Sequence, residues 1–194
     1  VPCRNEKGNI EAALERLPKF GKSQELIFIE GHSNDGTYEE IERVAAAYDG
    51  EIKIRYARQD GIGKGDAMRK GYALAKNDIL MILDADLTVA PEALPKFYNA
   101  LVSGKGNFIN GSRLVYPMDN DAMRFLNLIA NSAFARLFSW LLNQDITDTL
   151  CGTKVLSRAH YDIISANRHY FGDFDPFGDF DLIFGAAKQH LRIV

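Results

Sequence analysis

Apolar positions along this chain switch between helical and alternating spacing, and the switches mark out its elements. Ile10, Ala13, Leu14 and Leu17 recur at helical spacing, with Asn9 placed to cap the helix and Pro18 and Gly21 to end it. Glu25-Leu26-Ile27-Phe28-Ile29-Glu30 reads as a strand, and Gly31 to Gly36 is turn chemistry. Thr37 is placed to cap a helix to about Tyr48, with Glu40 completing a capping box. Glu51 to Tyr56 alternates like a strand, Gly61-Ile62-Gly63-Lys64-Gly65 is a glycine-rich loop, and Asp66 to Lys76 reads as a helix. Ile79 to Leu83 is an unbroken apolar run, as in a fully buried strand, and it delivers Asp84 and Asp86 at its C-terminal end. Pro91 to Val102 reads as a helix, with Pro91 in its first turn and Gly104 beyond its end. Asn107 to Gly111 is a strand with a glycine exit.

Repeated strand-then-helix units predict an α/β domain with a mostly parallel sheet flanked by helices. The pattern changes after residue 112. Ala122 to Asn143 is a long helical stretch of Phe, Leu, Ala and one Trp, interrupted by Arg124, Asn127, Asn131 and Arg136. It reads as a core helix or as an interfacial helix anchored by Trp140 and basic residues. Asp145 to Leu156 returns to loop and strand, Phe171 to Phe184 is dense in Phe, Gly and Asp, and a helix runs to Gln189.

A chain of 194 residues suits one domain with a real core, here spanning 1–194. Both ends look cut: Val1-Pro2-Cys3 reads like the last residues of a strand, and Leu191 to Val194 like one just beginning. No signal peptide and no run of about 18 apolar residues is visible. The net charge of −3 leaves no electrostatic footprint for nucleic acid. Cys3 and Cys151 show neither metal-ligand spacing nor a disulfide framework, which fits a reduced, cytoplasmic-type compartment.

Asp84 and Asp86 suit a hard divalent ion such as Mg²⁺ or Mn²⁺, which takes oxygen ligands and bridges to substrate phosphates. They could equally cap the following helix. Around Lys64, the glycines allow close backbone approach to a phosphate, although the spacing is neither a Walker loop nor the dinucleotide fingerprint. Glu30, ending its strand, could accept hydrogen bonds from a base or ribose. Asp35 could be only a turn residue.

In order, the chain carries Pro2-x-Arg4-Asn5-Glu6, Ser33-Asn-Asp35-Gly-Thr37, Gly63-Lys64-Gly65, Leu83-Asp-Ala-Asp86-Leu87, Gly111-Ser-Arg113 and Asp148-Thr-x-Cys151-Gly152-x-Lys154. This ordered set resembles family 2 glycosyltransferases, most closely the branch of dolichyl-phosphate mannose and glucose synthases and bacterial polyprenyl-phosphate glycosyltransferases. The resemblance implies the GT-A fold, a nucleoside-diphosphate sugar donor and a divalent metal at the Asp-x-Asp. By position it implies that Pro2, Arg4, Glu6, Glu30, Asp35 and Lys64 line the nucleotide. Asp84 would face the ribose or metal, and Asp86 would be the main metal ligand. Arg113 and Arg124 resemble arginines that hold an acceptor phosphate, a task suited to guanidinium groups, or they form structural salt bridges.

Three departures narrow the expectation. Glu30-Gly31 stands where the family usually has two acids, so base or ribose recognition is expected to differ. The Gln-x-x-Arg-Trp signature of processive synthases is missing from these residues. Gly178-Asp179-Phe180-Asp181 stands where many members carry a Glu-Asp pair. Asp179 is therefore the candidate base and Asp181 the second, with helix capping as the competing role. The expected activity is inverting, metal-dependent transfer of a single sugar to a lipid phosphate or glycan acceptor, at the cytoplasmic face with peripheral membrane contact. Two alternatives stand beside it. Asp84-x-Asp86-x-Thr88 also fits the nucleophile motif of haloacid dehalogenase-type phosphohydrolases, which normally lies near the N-terminus. A noncatalytic sugar-nucleotide binding domain is the other. Oligomeric state is left open.

Overall fold

β1 (Pro2–Cys3), β2 (Glu25–Glu30) and β3 (Lys53–Arg58) pair in parallel in the order β1-β2-β3, with Cys3 opposite Glu30 and Glu30 opposite Arg58. The computed structural model describes residues 1–112, 133–148, 151–171 and 178–194. A second three-stranded sheet has β6 (Lys154–Ser157) between β4 (Ile79–Met81) and β5 (Phe108–Asn110), antiparallel to both. Strand β6 is thus the antiparallel exception to the parallel pattern. The expected C-terminal strand is present only as a parallel bridge from Ile193 to Phe108.

Helices α1 (Ile10–Glu15), α2 (Thr37–Ala47), α3 (Lys64–Leu74) and α4 (Leu94–Val102) follow β1 to β4 in turn. Residues 133–142 form α5, and α6 (Arg158–Ala166) and α7 (Asp179–Lys188) complete the set among the described residues. The apolar run of β2 is explained by burial on both faces. Leu26 and Phe28 pack with Ile10, Leu14, Ile41 and Val44 beneath α1 and α2, whereas Ile27 and Ile29 pack on Ala67 of α3. A separate core gathers Leu80, Ile82, Phe108, Leu156, Ile183 and Ala186. A cavity of about 460 Å³ between β2 and β4 is walled by Ile27, Ile29, Met68, Tyr72, Leu80 and Ile82 and contains none of the candidate acids.

Several local expectations change. Asn9 does not cap α1 with its side chain. Its amide instead donates to Glu6 Oε2 at 2.7 Å, and a 3₁₀ turn (Lys7–Asn9) leads into the helix. The capping box at Thr37 and Glu40 is not formed. Gly36 holds the N-cap position, Asp35 accepts from Thr37 N at 3.0 Å, and Glu40 pairs with Arg43. Helix α3 starts at Lys64 rather than Asp66, because the Asp66 carboxylate folds back to accept Gly61 N at 2.8 Å. Helix α6 was not anticipated. It is capped by Ser157, which accepts from His160 N, and buries Tyr161 and Ile164.

The described part of the long helical stretch has two faces. Phe138 and Leu142 pack against the core, while Phe134, Leu137, Trp140 and Leu141 are exposed. No helix among the described residues is long and apolar enough to cross a membrane. Both cysteines are free and buried, and burial pushes the Cys3 thiol up to about 12, so it stays protonated.

Candidate functional site

Parallel pairing in register brings the C-terminal ends of three strands to one line, where open α/β sheets hold their ligands. Gly31 N donates to Cys3 O at 2.8 Å, and Gln59 N donates to Glu30 O at 2.9 Å. Arg4, Gly31 and Gln59 are therefore neighbours, although 26 or more residues separate each from the next.

The loop after β1 and the loop after β2 are stitched together by polar side chains. Asn5 N donates to Ser33 Oγ at 2.9 Å, and Asn34 N donates to Asn5 Oδ1 at 3.1 Å. Glu6 N donates to Thr37 Oγ1 at 2.9 Å and Lys7 N to Asp35 Oδ2 at 3.2 Å. Asp35 also accepts from the Thr37 hydroxyl at 2.5 Å, and this bond, foremost among its causes, lowers the Asp35 pKa. Its carboxylate is thus engaged in holding the two loops together. Glu30 is buried at the end of β2, where it accepts from Ser33 N and lies 3.4 Å from Arg58 Nε. Arg58 in turn lies over the Tyr38 ring, with its guanidinium carbon 4.1 Å from the centroid. Pro2 pairs with Ile29 in the sheet, and Arg4 is exposed beside the line of strand ends.

Lys64 and Asp84 meet at the centre. Lys64 Nζ is 2.6 Å from Asp84 Oδ1, both side chains being about three-quarters buried or more. Asp86 is exposed on the turn that follows, where its Oδ1 accepts from Thr88 N at 2.9 Å and Leu87 adopts a left-handed φ of 54°. The two acids are therefore unequal. Asp84 is already balanced by a cation, and Asp86 faces outward with a carboxylate oxygen on a short turn. Oxygen-only donors on a half-exposed turn fit Mg²⁺ or Mn²⁺, which keep waters and substrate oxygens in their remaining positions. No group of three or more His, Cys, Asp or Glu gathers as a metal cage among the described residues.

Gly152, which the sequence reading gave no role of its own, closes the other side. A Cβ built on it would overlap Asp84 Oδ2 and Lys64 Nζ, so glycine lets this backbone lie against the pair without displacing either side chain. The segment around it is held by buried polar groups. Cys151 N donates to Asp148 Oδ1 at 3.2 Å, Asn110 Nδ2 donates to Asp148 O at 2.5 Å, and fully buried Lys154 donates to Cys151 O.

Helix α7 arrives from the far end of the chain. Gly178, at a φ of 74°, approaches so closely that its own Cβ would lie 2.6 Å from Gly65 Cα. The contact brings the first residue of α7, Asp179, to the glycine loop that carries Lys64. Asp181, the second candidate base, is buried and ion-paired with Arg168 Nε at 3.2 Å, so its carboxylate is committed to a structural partner. That partner, like Tyr38, Arg58 and Gln59, carries no motif in the sequence and becomes visible only through proximity. Arg113 and Arg124 lie outside the described residues.

The sequence model of the family described as Glycosyl transferase family 2 matches residues 1–164. The chain is 36% identical over 107 residues to a dolichol-phosphate mannosyltransferase of Saccharomyces cerevisiae, covering 52% of this chain and 39% of that protein. It is 32% identical over 108 residues to an undecaprenyl-phosphate 4-deoxy-4-formamido-L-arabinose transferase of Aeromonas hydrophila, covering 54% and 33%. The matches thus span between a third and two fifths of the length of these relatives. Among solved structures, glucosyl-3-phosphoglycerate synthase from Mycobacterium tuberculosis, in complex with Mn²⁺, UDP-glucose and phosphoglyceric acid, superposes with a TM-score of 0.67 at 19% identity. That match covers 97% of this chain and 63% of the other. The expected α/β architecture of GT-A type is the one observed.

Proposed function

Because the chain belongs to glycosyl transferase family 2, we propose that it transfers a single sugar, with inversion, from a nucleoside-diphosphate sugar to an acceptor, and that the acceptor is a polyprenyl phosphate. Residues 1–194 form one catalytic domain in this reading. The observation that carries it is the Lys64–Asp84 pair at 2.6 Å, set between the glycine loop and the turn bearing Asp86. A cation paired with one carboxylate, with a second carboxylate exposed on the turn that follows, fits a metal-bound diphosphate, where a lone capping pair would have no use for Lys64. The A. hydrophila relative, named for an undecaprenyl-phosphate substrate, supports the acceptor class. The family match leaves the dehalogenase-type phosphohydrolase without support.

Arg4 and the loop it begins, with Glu30, frame the nucleoside, and Asp35 shapes that loop. Lys64 neutralises charge on the departing diphosphate, and the backbone near Gly63 and Gly65 approaches its oxygens. Asp84 and Asp86 would hold a divalent ion, which when bound supplies charge that offsets the developing diphosphate. Asp179, the first residue of α7, is the base in this reading. It deprotonates a hydroxyl acceptor, whereas a phosphate acceptor is already an anion and needs no strong base. Arg113 and Arg124 bind the acceptor phosphate. The exposed apolar face of α5, with Trp140 at its outermost point, makes peripheral contact with a membrane.

The test is sugar transfer to a short polyprenyl phosphate with a panel of UDP, GDP and dTDP sugars, with and without EDTA. Transfer that needs Mn²⁺ or Mg²⁺ and vanishes in Asp86→Ala is the expected result. Full activity in EDTA would remove the metal from the mechanism. Tight donor binding with no turnover on any acceptor would leave a noncatalytic binding domain.

A further inference from the structure

Among the described residues, five other than glycine hold a left-handed backbone, and four of them (Asn5, His32, Asn143 and His190) are asparagine or histidine. Those two residue types enter that region more readily than most. The fifth is Leu87, at a φ of 54°, directly after Asp86. A bulky apolar side chain gains nothing from that conformation by itself, so its surroundings must impose it.

The packing of the turn shows what does so. Residues along this segment alternate between core and solvent: Ala85 and Val89 are buried, and Asp86 and Thr88 are exposed. Leu87 is partly buried and packs against the core of Ile10, Leu14, Phe28 and Ile41. Its backbone N donates to Asp84 O at 3.1 Å, closing a tight turn over Ala85 and Asp86. Thr88 N then donates to Asp86 Oδ1 at 2.9 Å. The φ of Leu87 sets the direction in which the chain leaves this turn, and hence where Thr88 N points. A right-handed or extended residue there would carry Thr88 N away from the carboxylate. With Oδ1 held by Thr88, rotation of the Asp86 side chain is restricted, and Oδ2 accepts no hydrogen bond among the described residues.

We propose that Leu87 is a positioning residue for the divalent ion: its left-handed backbone, clamped by the core, aims Thr88 N at Asp86 Oδ1 and so holds the other carboxylate oxygen ready for the ion. This rests on the reading of Asp84 and Asp86 as metal ligands and adds the residue that aims one of them. Leu87 itself touches neither ion nor substrate. Fixing the carboxylate before the ion arrives lowers the conformational cost of binding, so affinity follows the backbone preference at position 87. Asparagine reaches the same backbone without the apolar clamp. Isoleucine keeps the clamp with the same atoms but carries its branch at Cβ, where a left-handed backbone is most crowded.

The experiment titrates the full chain with Mn²⁺ and follows the free ion by electron paramagnetic resonance. It is run with and without UDP or GDP, corrected for the ion each nucleotide binds by itself. Asp86→Ala identifies the uptake that belongs to this site. Leu87→Ile is expected to weaken that uptake roughly tenfold, and Leu87→Asn to stay within about twofold of wild type. A purely packing role predicts the reverse order, since isoleucine preserves the apolar contact and asparagine removes it. Melting temperatures show whether each variant is folded, and Leu87→Val and Leu87→Gly repeat the two arms if either is not. A folded Leu87→Ile with wild-type Mn²⁺ affinity would overturn the proposal and leave the metal site standing. So would a folded Leu87→Asn that binds as weakly as Leu87→Ile. Wild-type uptake that is absent, or that persists in Asp86→Ala, would overturn the metal reading and this proposal with it.

Discussion

Replacing Gly152 with alanine sets a methyl carbon into the space held by the Lys64–Asp84 pair, overlapping Asp84 Oδ2 and Lys64 Nζ and lying 2.6 Å from Asp84 Cγ. Carbon contacts are comfortable at about 3.5–4.0 Å, so the carboxylate must retreat by about 1 Å or more. Both colliding groups are the ends of side chains with rotatable bonds, and the pair is partly exposed. The stability cost is therefore modest, about 1 kcal/mol, near the lower end of overpacking penalties. The effect on function is larger. If Lys64 loses its aim at the diphosphate, a charge-assisted interaction of about 1.5–3 kcal/mol is lost. At about 1.4 kcal/mol per tenfold, kcat/KM falls by roughly ten- to a hundredfold. Release of nucleoside diphosphate during transfer, followed beside the melting temperature, separates the two effects. Wild-type kinetics and wild-type Mn²⁺-dependent nucleotide affinity in a folded Gly152→Ala would refute the reasoning, and so would a loss of activity wholly accounted for by unfolding.

Removing Arg168 deprives the buried Asp181 carboxylate of its 3.2 Å ion pair. Arg168→Ala should therefore destabilise the fold by roughly 2–4 kcal/mol in urea unfolding, and a midpoint equal to wild type would deny the pair its structural role. Asp35, whose pKa is lowered by Thr37 and the Lys7 backbone, stabilises the folded state fully above the unfolded carboxylate value of about 4, and loses that contribution as pH falls through its lower folded value. The gap in melting temperature between wild type and Asp35→Asn is thus expected to be constant from pH 6 to 8 and to close below about pH 4, as a thermal-shift pH series would reveal. Trp140 is 79% exposed, so Trp140→Ser should change stability by no more than about 0.5 kcal/mol while reducing co-sedimentation with anionic lipid vesicles. Unchanged sedimentation would remove α5 from the membrane contact.

Much of the architecture follows from local pattern. The β2 run of Leu26 to Ile29 reads as a strand because alternate side chains are apolar on both faces, and both faces are buried. The glycine loop and the Asp84-x-Asp86 pair are legible because their chemistry resides in contiguous residues. Pairings across the chain are not legible in this way. Thr37 and Glu40 have the spacing of a capping box, yet Asp35 takes the capping bond and Arg43 takes Glu40, since tertiary neighbours compete for the same donors. Asp181 looked like a base in the sequence and is an ion-pair partner in the fold, because Arg168 is brought to it by the packing of α6 and α7.

By itself, then, the sequence determined the α/β order of elements, the family and the acids and lysine that are candidates for the chemistry, because each depends on residues close together in the chain. Tertiary structure decided which partners each of them meets. It set Lys64 on Asp84, left Asp86 exposed, engaged Asp35 and Asp181 with neighbours, and laid Gly152 against the Lys64–Asp84 pair. A carboxylate or amide has only a few hydrogen-bonding positions, and what remains available for a substrate is whatever the fold has not already used.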